Sequence, residues 1–157
     1  WAASGQVNTR FLEILLSEPF LQRTPPKSTG RDLFNATWLD AALQQVAGIA
    51  AVDVQATLAE FSARAAADAL QQQAPQTGRL LVCGGGAFNT HLMQRLAAYL
   101  PGIAVQGTDA AGVPPLQVEA LAFAWLAQAF VARHPGNLAT VTGARGPRVL
   151  GALYPAS

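Results

Sequence analysis

The sequence predicts a helix-rich α/β fold in which the sheet is incomplete. An apolar run at residues 80–83 leads into three consecutive glycines, and a helical pattern follows them. A second short apolar run comes after that helix, and a strand–helix–strand order favours a parallel pair joined by a right-handed crossover. Long helical patterns fill the rest of the chain. Because apolar helices need a sheet to cover them, we expect further strands outside this sequence.

The composition fits one folded domain. The chain has 157 residues, of which 51% are hydrophobic and 12% charged, so disorder is not expected. The net charge of +1 and the single lysine, Lys27, exclude a basic nucleic-acid surface. No apolar run is long enough for a membrane span. The lone Cys83 excludes an internal disulfide, and we interpret it as a small buried side chain in a cytoplasmic protein.

Two helices are predicted in the first third of the chain. Asn8 can cap a helix over residues 9–16, whose apolar residues recur at helical spacing. A second helix is predicted over residues 38–46, capped by Asn35 or Thr37 and ended by a glycine.

A longer helix is predicted over residues 52–73, with Asp53 as its cap or as an acid in its first turn. Its alanines allow close packing against a neighbouring element. The residues predicted to share its apolar face are Val54, Leu58, Phe61, Ala65 and Leu70.

The second half carries the predicted strands. We expect a buried strand at 79–83, a helix over 89–100 and a second strand at 103–105. A helix over 116–133 is apolar on every side, so it should be mostly buried. The tail at 140–155 alternates loosely, which suggests an edge strand.

The glycines Gly84, Gly85 and Gly86 are the strongest functional candidates. Without side chains, the turn lets a ligand lie against the backbone. The N–H groups and positive dipole end of the next helix favour a phosphate or sugar oxygen. The spacing matches neither G-x-G-x-x-G nor a Walker loop. We favour a nucleotide site of another design over a plain turn, and Asn89 can cap the helix or contact the ligand.

Two acids and one polar loop leave alternatives open. Glu119 lies in the first turn of an apolar helix, where it either complements the helix dipole or faces a cleft and contacts a sugar. Asp109, in the preceding loop, has the same ambiguity. The loop at 27–32 holds Lys27, two hydroxyls, an arginine and an acid, and it either binds a phosphate or forms a polar turn. Neither histidine has a partner at metal-ligand spacing, so we expect no metal ligands in this chain.

Five segments, in order along nearly the whole chain, resemble the anhydro-N-acetylmuramic acid kinases. They are Pro-Pro-Lys-Ser-Thr-Gly-Arg-Asp-Leu-Phe-Asn at 25–35, Asp-Val-Gln-Ala-Thr-Leu at 53–58, Cys-Gly-Gly-Gly-Ala-Phe-Asn at 83–89, Glu-Ala-Leu-Ala-Phe-Ala-Trp-Leu-Ala at 119–127, and Thr-Gly-Ala at 142–144 with Leu-Gly at 150–151. The combination is far more specific than any single motif. On these segments the chain is identified as a member of that family.

The resemblance implies an actin/hexokinase/Hsp70-type (ribonuclease H-like) fold with two lobes around an ATP cleft. It implies a kinase of peptidoglycan recycling that uses ATP and Mg²⁺. Water attacks the anomeric carbon of 1,6-anhydro-N-acetylmuramic acid and opens the anhydro bridge, while O6 takes the γ-phosphoryl group. The product is N-acetylmuramic acid 6-phosphate. Magnesium would neutralise phosphate charge during the transfer.

The resemblance also assigns roles to residues. The turn of Gly84, Gly85 and Gly86, with Asn89 behind it, is similar to the adenosine motif of the C-terminal lobe. Glu119 is similar to an acid that faces the sugar when the lobes close, and so becomes a tentative catalytic and substrate-binding residue. The family further implies a homodimer.

The chain departs from the family pattern because the N-terminal lobe, with its glycine-rich phosphate loop, is missing. Residues 1–157 are therefore expected to be a partial C-terminal lobe. The aspartate expected to activate water lies in a Gly-Gly-Ile-Ala-Asn-type segment that this sequence lacks, so the isolated chain should be weakly active or inactive. The alternatives are a non-catalytic nucleotide-binding or dimerisation lobe, and another sugar kinase or ATPase of the same superfamily.

Overall fold

The structure is a computed structural model that describes residues 1–154. It is a helix-rich α/β fold, as predicted, with short 3-10 turns between its main elements. In chain order these elements are α1 Thr9–Leu16, α2 Ala36–Leu43, α3 Ala51–Gln73, β1 Arg79–Val82, α4 Thr90–Tyr99, β2 Ala104–Gly107, α5 Val118–Val131 and α6 Ala139–Thr142. No helix among residues 1–154 combines the length and the apolar composition that a bilayer crossing requires.

The main core lies where α1 and α2 pack on the first half of α3. Phe11 and Leu15 of α1 are completely buried, and the Asn8 side chain accepts a hydrogen bond from the Phe11 N–H at 2.9 Å. The predicted helix 9–16 and its Asn8 cap are therefore confirmed. Residues of the predicted α3 face join this core: Val54, Leu58, Phe61 and Ala65.

The second helix begins and ends earlier than predicted. Asn35, rather than Thr37, is its cap, because the Asn35 side chain accepts a hydrogen bond from the Trp38 N–H at 3.0 Å. The helix therefore starts directly after residue 35, at Ala36, and its last residue is Leu43 instead of 46.

Asp53 ties the start of the chain to α3. It lies in the first turn of the helix, and its carboxylate accepts a hydrogen bond from the Gln6 N–H at 2.7 Å. One turn later the buried Thr57 hydroxyl donates to the Asp53 carbonyl at 2.7 Å and accepts from the Asn8 N–H at 2.9 Å. Asp53 is thus a first-turn acid that also holds the segment before α1.

A buried ion pair joins α3 to α4. Glu60 is 6% exposed and accepts two hydrogen bonds from the Arg95 guanidinium, at 2.6 and 2.7 Å. The Tyr99 hydroxyl donates to the same carboxylate at 2.6 Å. Burial acts to raise the pKa of Glu60, but these hydrogen bonds and the Arg95 charge outweigh it and hold that pKa below its ordinary value. Burial and the bond to Glu60 raise the pKa of Tyr99.

The two strands pair in parallel with the register Arg79↔Ala104 to Val82↔Gly107. Two expectations were wrong at this point. The apolar residues of β1 are half-buried instead of buried, since β1 has one partner strand in residues 1–154. Cys83 is exposed because it lies beyond the last paired residue of β1.

The expected burial of the last long helix was also wrong. Ala129 is the one buried residue of α5, because little of the described chain packs on this helix. The tail forms the short helix α6, and residues 143–154 contain no strand. Instead, the tail folds back toward the end of α5, where the Gly136 N–H donates to the Arg148 carbonyl at 2.9 Å. Residue 155, the end of the predicted edge strand, lies outside the described residues.

Candidate functional site

The glycine turn begins with a backbone conformation that requires glycine. Gly84 follows Cys83 with φ 69° and ψ −165°, a region that residues with a side chain rarely occupy. A 3-10 turn, Gly85–Phe88, comes next and leads into α4. The chain can therefore reverse direction within a few residues of the carboxyl end of β1.

The other two glycines differ in their surroundings. A Cβ placed on Gly85 would meet open space, so this position leaves the backbone bare and accessible. Gly86 lies between Leu92 and Val82, where a Cβ would make ordinary contacts at 3.6 and 3.9 Å. Only Gly84 is needed for the turn itself, which leaves the free face of Gly85 available to a ligand.

Asn89 caps the helix behind the turn. Its side chain accepts a hydrogen bond from the Leu92 N–H at 3.1 Å, and its own N–H donates to the Gly86 carbonyl at 3.1 Å. The capping role of Asn89 is therefore present, and its exposed side chain lies beside the turn. The start of α4 supplies the positive dipole end predicted to favour a phosphate or sugar oxygen.

A backbone hydrogen bond joins the glycine turn to the segment that leads into α5. The Gly84 N–H donates to the carbonyl of the buried Pro115 at 2.9 Å. Glu119 follows four residues later, exposed in the first turn of α5. This hydrogen bond thus brings the glycine turn next to the segment that leads to Glu119, so two predicted parts of the site are neighbours. No pattern in the residues predicts the Pro115 contact, since any residue can accept through its carbonyl.

The carboxyl end of β2 lies beside this turn. Thr108 and Asp109 begin a 3-10 turn directly after Gly107. The Thr108 hydroxyl oxygen is buried and has no hydrogen-bond partner within residues 1–154, whereas Asp109 is exposed and its carboxylate lies over Gly107. Both strands therefore end at one edge, which is where parallel sheets bind ligands.

The polar loop at 27–32 is held by its own hydrogen bonds. The Lys27 ammonium donates to the carbonyls of Phe20 and Leu21, at 3.3 and 2.9 Å, and lies 5.2 Å from the Phe20 ring centroid. The Asp32 carboxylate accepts from the Gly30 N–H at 2.8 Å. Of the two interpretations left open, these bonds favour a polar turn for Lys27 and Asp32.

No group of three or more histidine, cysteine, aspartate or glutamate side chains lies close enough to hold a metal ion in residues 1–154. Two grooves, of about 530 and 700 Å³, lie between α2 and α3 and are lined mainly by apolar residues. The glycine turn lies at an open edge of the structure. This position suits a site of which this chain forms one side.

The family model and the similar proteins all point to one family. The family model described as anhydro-N-acetylmuramic acid kinase matches residues 1–156. Proteins named anhydro-N-acetylmuramic acid kinase are similar to the chain: that of Variovorax paradoxus (strain S110) is 56% identical over 156 residues, that of Ralstonia nicotianae is 59% identical over 161, and that of Bordetella petrii is 62% identical over 159. Each match covers 99% of this chain and 42%, 41% and 42% of the respective relative. The chain therefore spans about two fifths of the length of these curated relatives.

Proposed function

Because the chain belongs to the anhydro-N-acetylmuramic acid kinase family, we propose that it is the nucleotide-binding part of an ATP-dependent sugar kinase. The substrate is 1,6-anhydro-N-acetylmuramic acid. Water adds to the anomeric carbon, the bond from that carbon to O6 breaks, and O6 takes the γ-phosphoryl group of ATP. The products are ADP and N-acetylmuramic acid 6-phosphate. We assign the protein to peptidoglycan recycling in the cytoplasm as part of the same proposal.

The observation that carries this proposal is the glycine turn at the carboxyl edge of the parallel strands. Gly84 makes the turn, Gly85 leaves bare backbone, and the N-terminal turn of α4 begins directly behind them. We assign the adenosine part of ATP to this turn, with Asn89 at its rim. The lobe would then be a partial C-terminal lobe of an actin-like, ribonuclease H-like fold.

The acceptor side of the reaction is assigned to Glu119. It is exposed at the start of α5, joined to the turn through the Gly84–Pro115 hydrogen bond, and so can face a sugar bound beside the nucleotide. A carboxylate there can accept hydrogen bonds from sugar hydroxyls. On the family resemblance, the aspartate that activates water is assigned to the N-terminal lobe, and Mg²⁺ would neutralise charge on the phosphates of ATP.

The proposal is tested by supplying the part of the kinase that this chain does not span. The 157-residue chain is co-expressed with the portion of the Bordetella petrii relative that it does not span, and ADP release is measured with and without the anhydro sugar. We expect ADP only with the sugar, together with a ring-opened 6-phosphorylated product identified by mass. ATP hydrolysis whose rate does not depend on the anhydro sugar, or turnover of a different sugar only, would contradict the proposal.

Two variants test the assignment of Glu119. We expect Glu119→Gln to lower sugar-dependent turnover strongly, whereas Glu13→Gln, an exposed acid on α1, should leave it unchanged. Unchanged turnover in Glu119→Gln would remove that residue from the site.

A non-catalytic role has one observation in its favour, namely the exposed apolar surface of α5. Such a surface suits a nucleotide-binding or dimer-forming lobe with no reaction of its own. ATP binding without turnover in the combined sample, together with a homodimer of this chain, would favour that alternative. A homodimer of the complete kinase is compatible with either.

A further inference from the structure

A small pocket lies between the second half of α3 and the segment after α1, and its volume is about 180 Å³. Charged side chains of both signs line it, namely two cations and one acid: Lys27, Arg64 and Asp68. None of the residues that line it belongs to the glycine turn, to β2 or to α5. The pocket is therefore separate from the proposed kinase site, and the proposed reaction does not use its charged groups.

The Lys27 ammonium is held in place but has no carboxylate partner. It donates hydrogen bonds to the carbonyls of Phe20 and Leu21, at 3.3 and 2.9 Å, and its side chain is half-buried. An ammonium group has three N–H donors, so one of them remains available to a ligand. No ion pair within residues 1–154 includes Lys27. The polar turn thus presents a fixed positive charge to the pocket.

Arg64 and Asp68 form a loose ion pair across one turn of α3. The Arg64 Nε and the Asp68 Oδ2 are 3.8 Å apart, which is longer than a hydrogen bond, and the two side chains are 46% and 48% exposed. A half-exposed pair of this kind contributes little to stability. A ligand that offers a better partner to either side chain can therefore replace the pair at small cost.

The charges in the pocket favour a ligand that carries both signs. Two cations and one acid leave a net charge of +1, which attracts a carboxylate. A phosphate dianion would also lie close to the Asp68 carboxylate and be repelled by it, and a simple amine would meet two cations. A ligand with a carboxylate beside an ammonium group offers charge-assisted hydrogen bonds to Lys27, Arg64 and Asp68 together.

The size of the pocket and its apolar side chains restrict the rest of the ligand. A volume of about 180 Å³ corresponds to roughly six water molecules at about 30 Å³ each, which is close to the size of a small amino acid. Aliphatic side chains form part of the wall: Leu16, Leu21, Ala65 and Ala69. They provide an apolar surface for a short aliphatic side chain of the ligand.

We propose that this pocket binds a free α-amino acid with a small aliphatic side chain, such as alanine or valine. The ligand carboxylate accepts hydrogen bonds from Lys27 and Arg64, the ligand ammonium donates to Asp68, and the aliphatic group packs on the leucines and alanines of the wall. The site is a second binding site of the chain, beyond the proposed kinase site.

The proposal is tested by titrating the 157-residue chain with three probes while the backbone amide chemical shifts are recorded. The probes are valine, isovalerate, which lacks the ammonium group, and isobutylamine, which lacks the carboxylate. We expect valine to shift the amides of Ala65, Asp68 and Ala69 and to bind about tenfold or more tightly than either of the others. The absence of saturable shifts at these amides, or equal affinity of valine and isovalerate, would overturn the proposal. Tighter binding of inorganic phosphate than of valine would also overturn it, because it would identify an anion site.

A variant of the acid tests the ammonium contact. Asp68→Asn should weaken valine binding about tenfold and leave the affinity for isovalerate unchanged or higher, since only valine has an ammonium group. Asp40→Asn, at an exposed acid on α2 outside the pocket, is the matched control and should change neither affinity. Equal valine affinity of the wild type and Asp68→Asn would remove the acid from the site and overturn the proposal.

Variants of the cations test the carboxylate contact. Lys27→Met and Arg64→Met should each weaken valine and isovalerate by similar factors, whereas the affinity for isobutylamine should not fall. Arg64→Met changes an exposed helix position, so it tests this contact even if Lys27→Met disturbs the turn. Arg10→Met, at an exposed cation on α1, is the control. Wild-type valine affinity in folded Arg64→Met and Lys27→Met would contradict the proposed binding mode.

The amino-acid site and the proposed kinase function can fail separately. The titration with valine uses neither ATP nor the anhydro sugar, so saturable binding at Asp68 would support the site even if no sugar-dependent ADP were formed. Sugar-dependent ADP from a protein that does not bind valine would contradict the site and leave the kinase proposal standing.

Discussion

The backbone N–H of Gly84 donates a hydrogen bond to the Pro115 carbonyl over 2.9 Å, so the glycine turn after β1 is fixed to the approach to α5. Two segments that are separated by thirty residues in sequence therefore share one position in the fold. A ligand that displaces the turn will displace the start of α5, where Glu119 lies. A change at the turn would therefore be transmitted to the segment that leads to Glu119.

The backbone of Gly84 gives a first prediction. Gly84→Ala places a side chain at φ 69° and ψ −165°, and should lower the free energy of unfolding by about 1–3 kcal/mol. Gly85→Ala is the matched control, because its Cβ meets open space, and its effect should stay within about 0.5 kcal/mol. Urea unfolding measures both. Equal effects of the two variants would contradict the described turn.

Removing the cation and removing the carboxylate of the ion pair between α3 and α4 should lower the free energy of unfolding by different amounts. Arg95→Met leaves the Glu60 carboxylate buried without its cation, which should cost about 3 kcal/mol. Glu60→Gln leaves an Arg95 side chain that is 38% exposed and can be hydrated, so about 1–2 kcal/mol is expected. Thermal or urea unfolding measures which of the two variants loses more stability. A larger loss in Glu60→Gln would mean that the carboxylate is not the buried member.

The same pair predicts how stability depends on pH. The pKa of Glu60 in the folded chain lies below its ordinary value of 4.5, so folding favours the ionised form. The stabilisation is fully present above pH 4.5 and is lost as the pH falls through the lowered pKa. We expect the stability difference between the wild type and Glu60→Gln to be constant above this range and to shrink below it. A stability difference between the wild type and Glu60→Gln that grows as the pH falls would contradict the lowered pKa of Glu60.

Thr57 links the segment before α1 to α3. Thr57→Val keeps the shape but leaves the Asn8 N–H without an acceptor, which should cost about 1–3 kcal/mol. Thr57→Ser retains the hydroxyl that bonds to Asn8 and Asp53, so it should lose less. Unfolding of the two variants side by side is the measurement. A result in which the serine variant is the less stable of the two would argue that packing of the methyl group, not the hydroxyl, matters here.

Local patterns predicted most of the elements correctly. The sequence predicts a cap at Asn8 and offers Asn89 as a cap or a ligand contact, because a polar side chain before a helical pattern has a local partner two or three residues later. The parallel pairing of β1 with β2 followed from the strand–helix–strand order. These features depend on neighbours in sequence, which the sequence displays directly.

Features that depend on distant neighbours could not be predicted. The pattern of α5 indicates burial, but exposure is decided by what packs on the helix, and little of residues 1–154 does. Cys83 was expected inside because the run before it is apolar, yet pairing ends one residue earlier. The Glu60–Arg95 pair joins residues 35 apart, and neither carries a local signal of its partner. In the candidate site, the link from Gly84 to Pro115 was missed for the same reason.

Titration of ATP into the chain, alone and with the remaining part of the relative's polypeptide, tests the nucleotide site most directly when the wild type is compared with Gly85→Val. A valine fills the open space over the bare backbone, so the account predicts that the variant stays folded and binds ATP about tenfold more weakly, a loss of about 1.4 kcal/mol. Equal ATP affinity of the wild type and the folded variant would contradict the assignment of the nucleotide to the glycine turn.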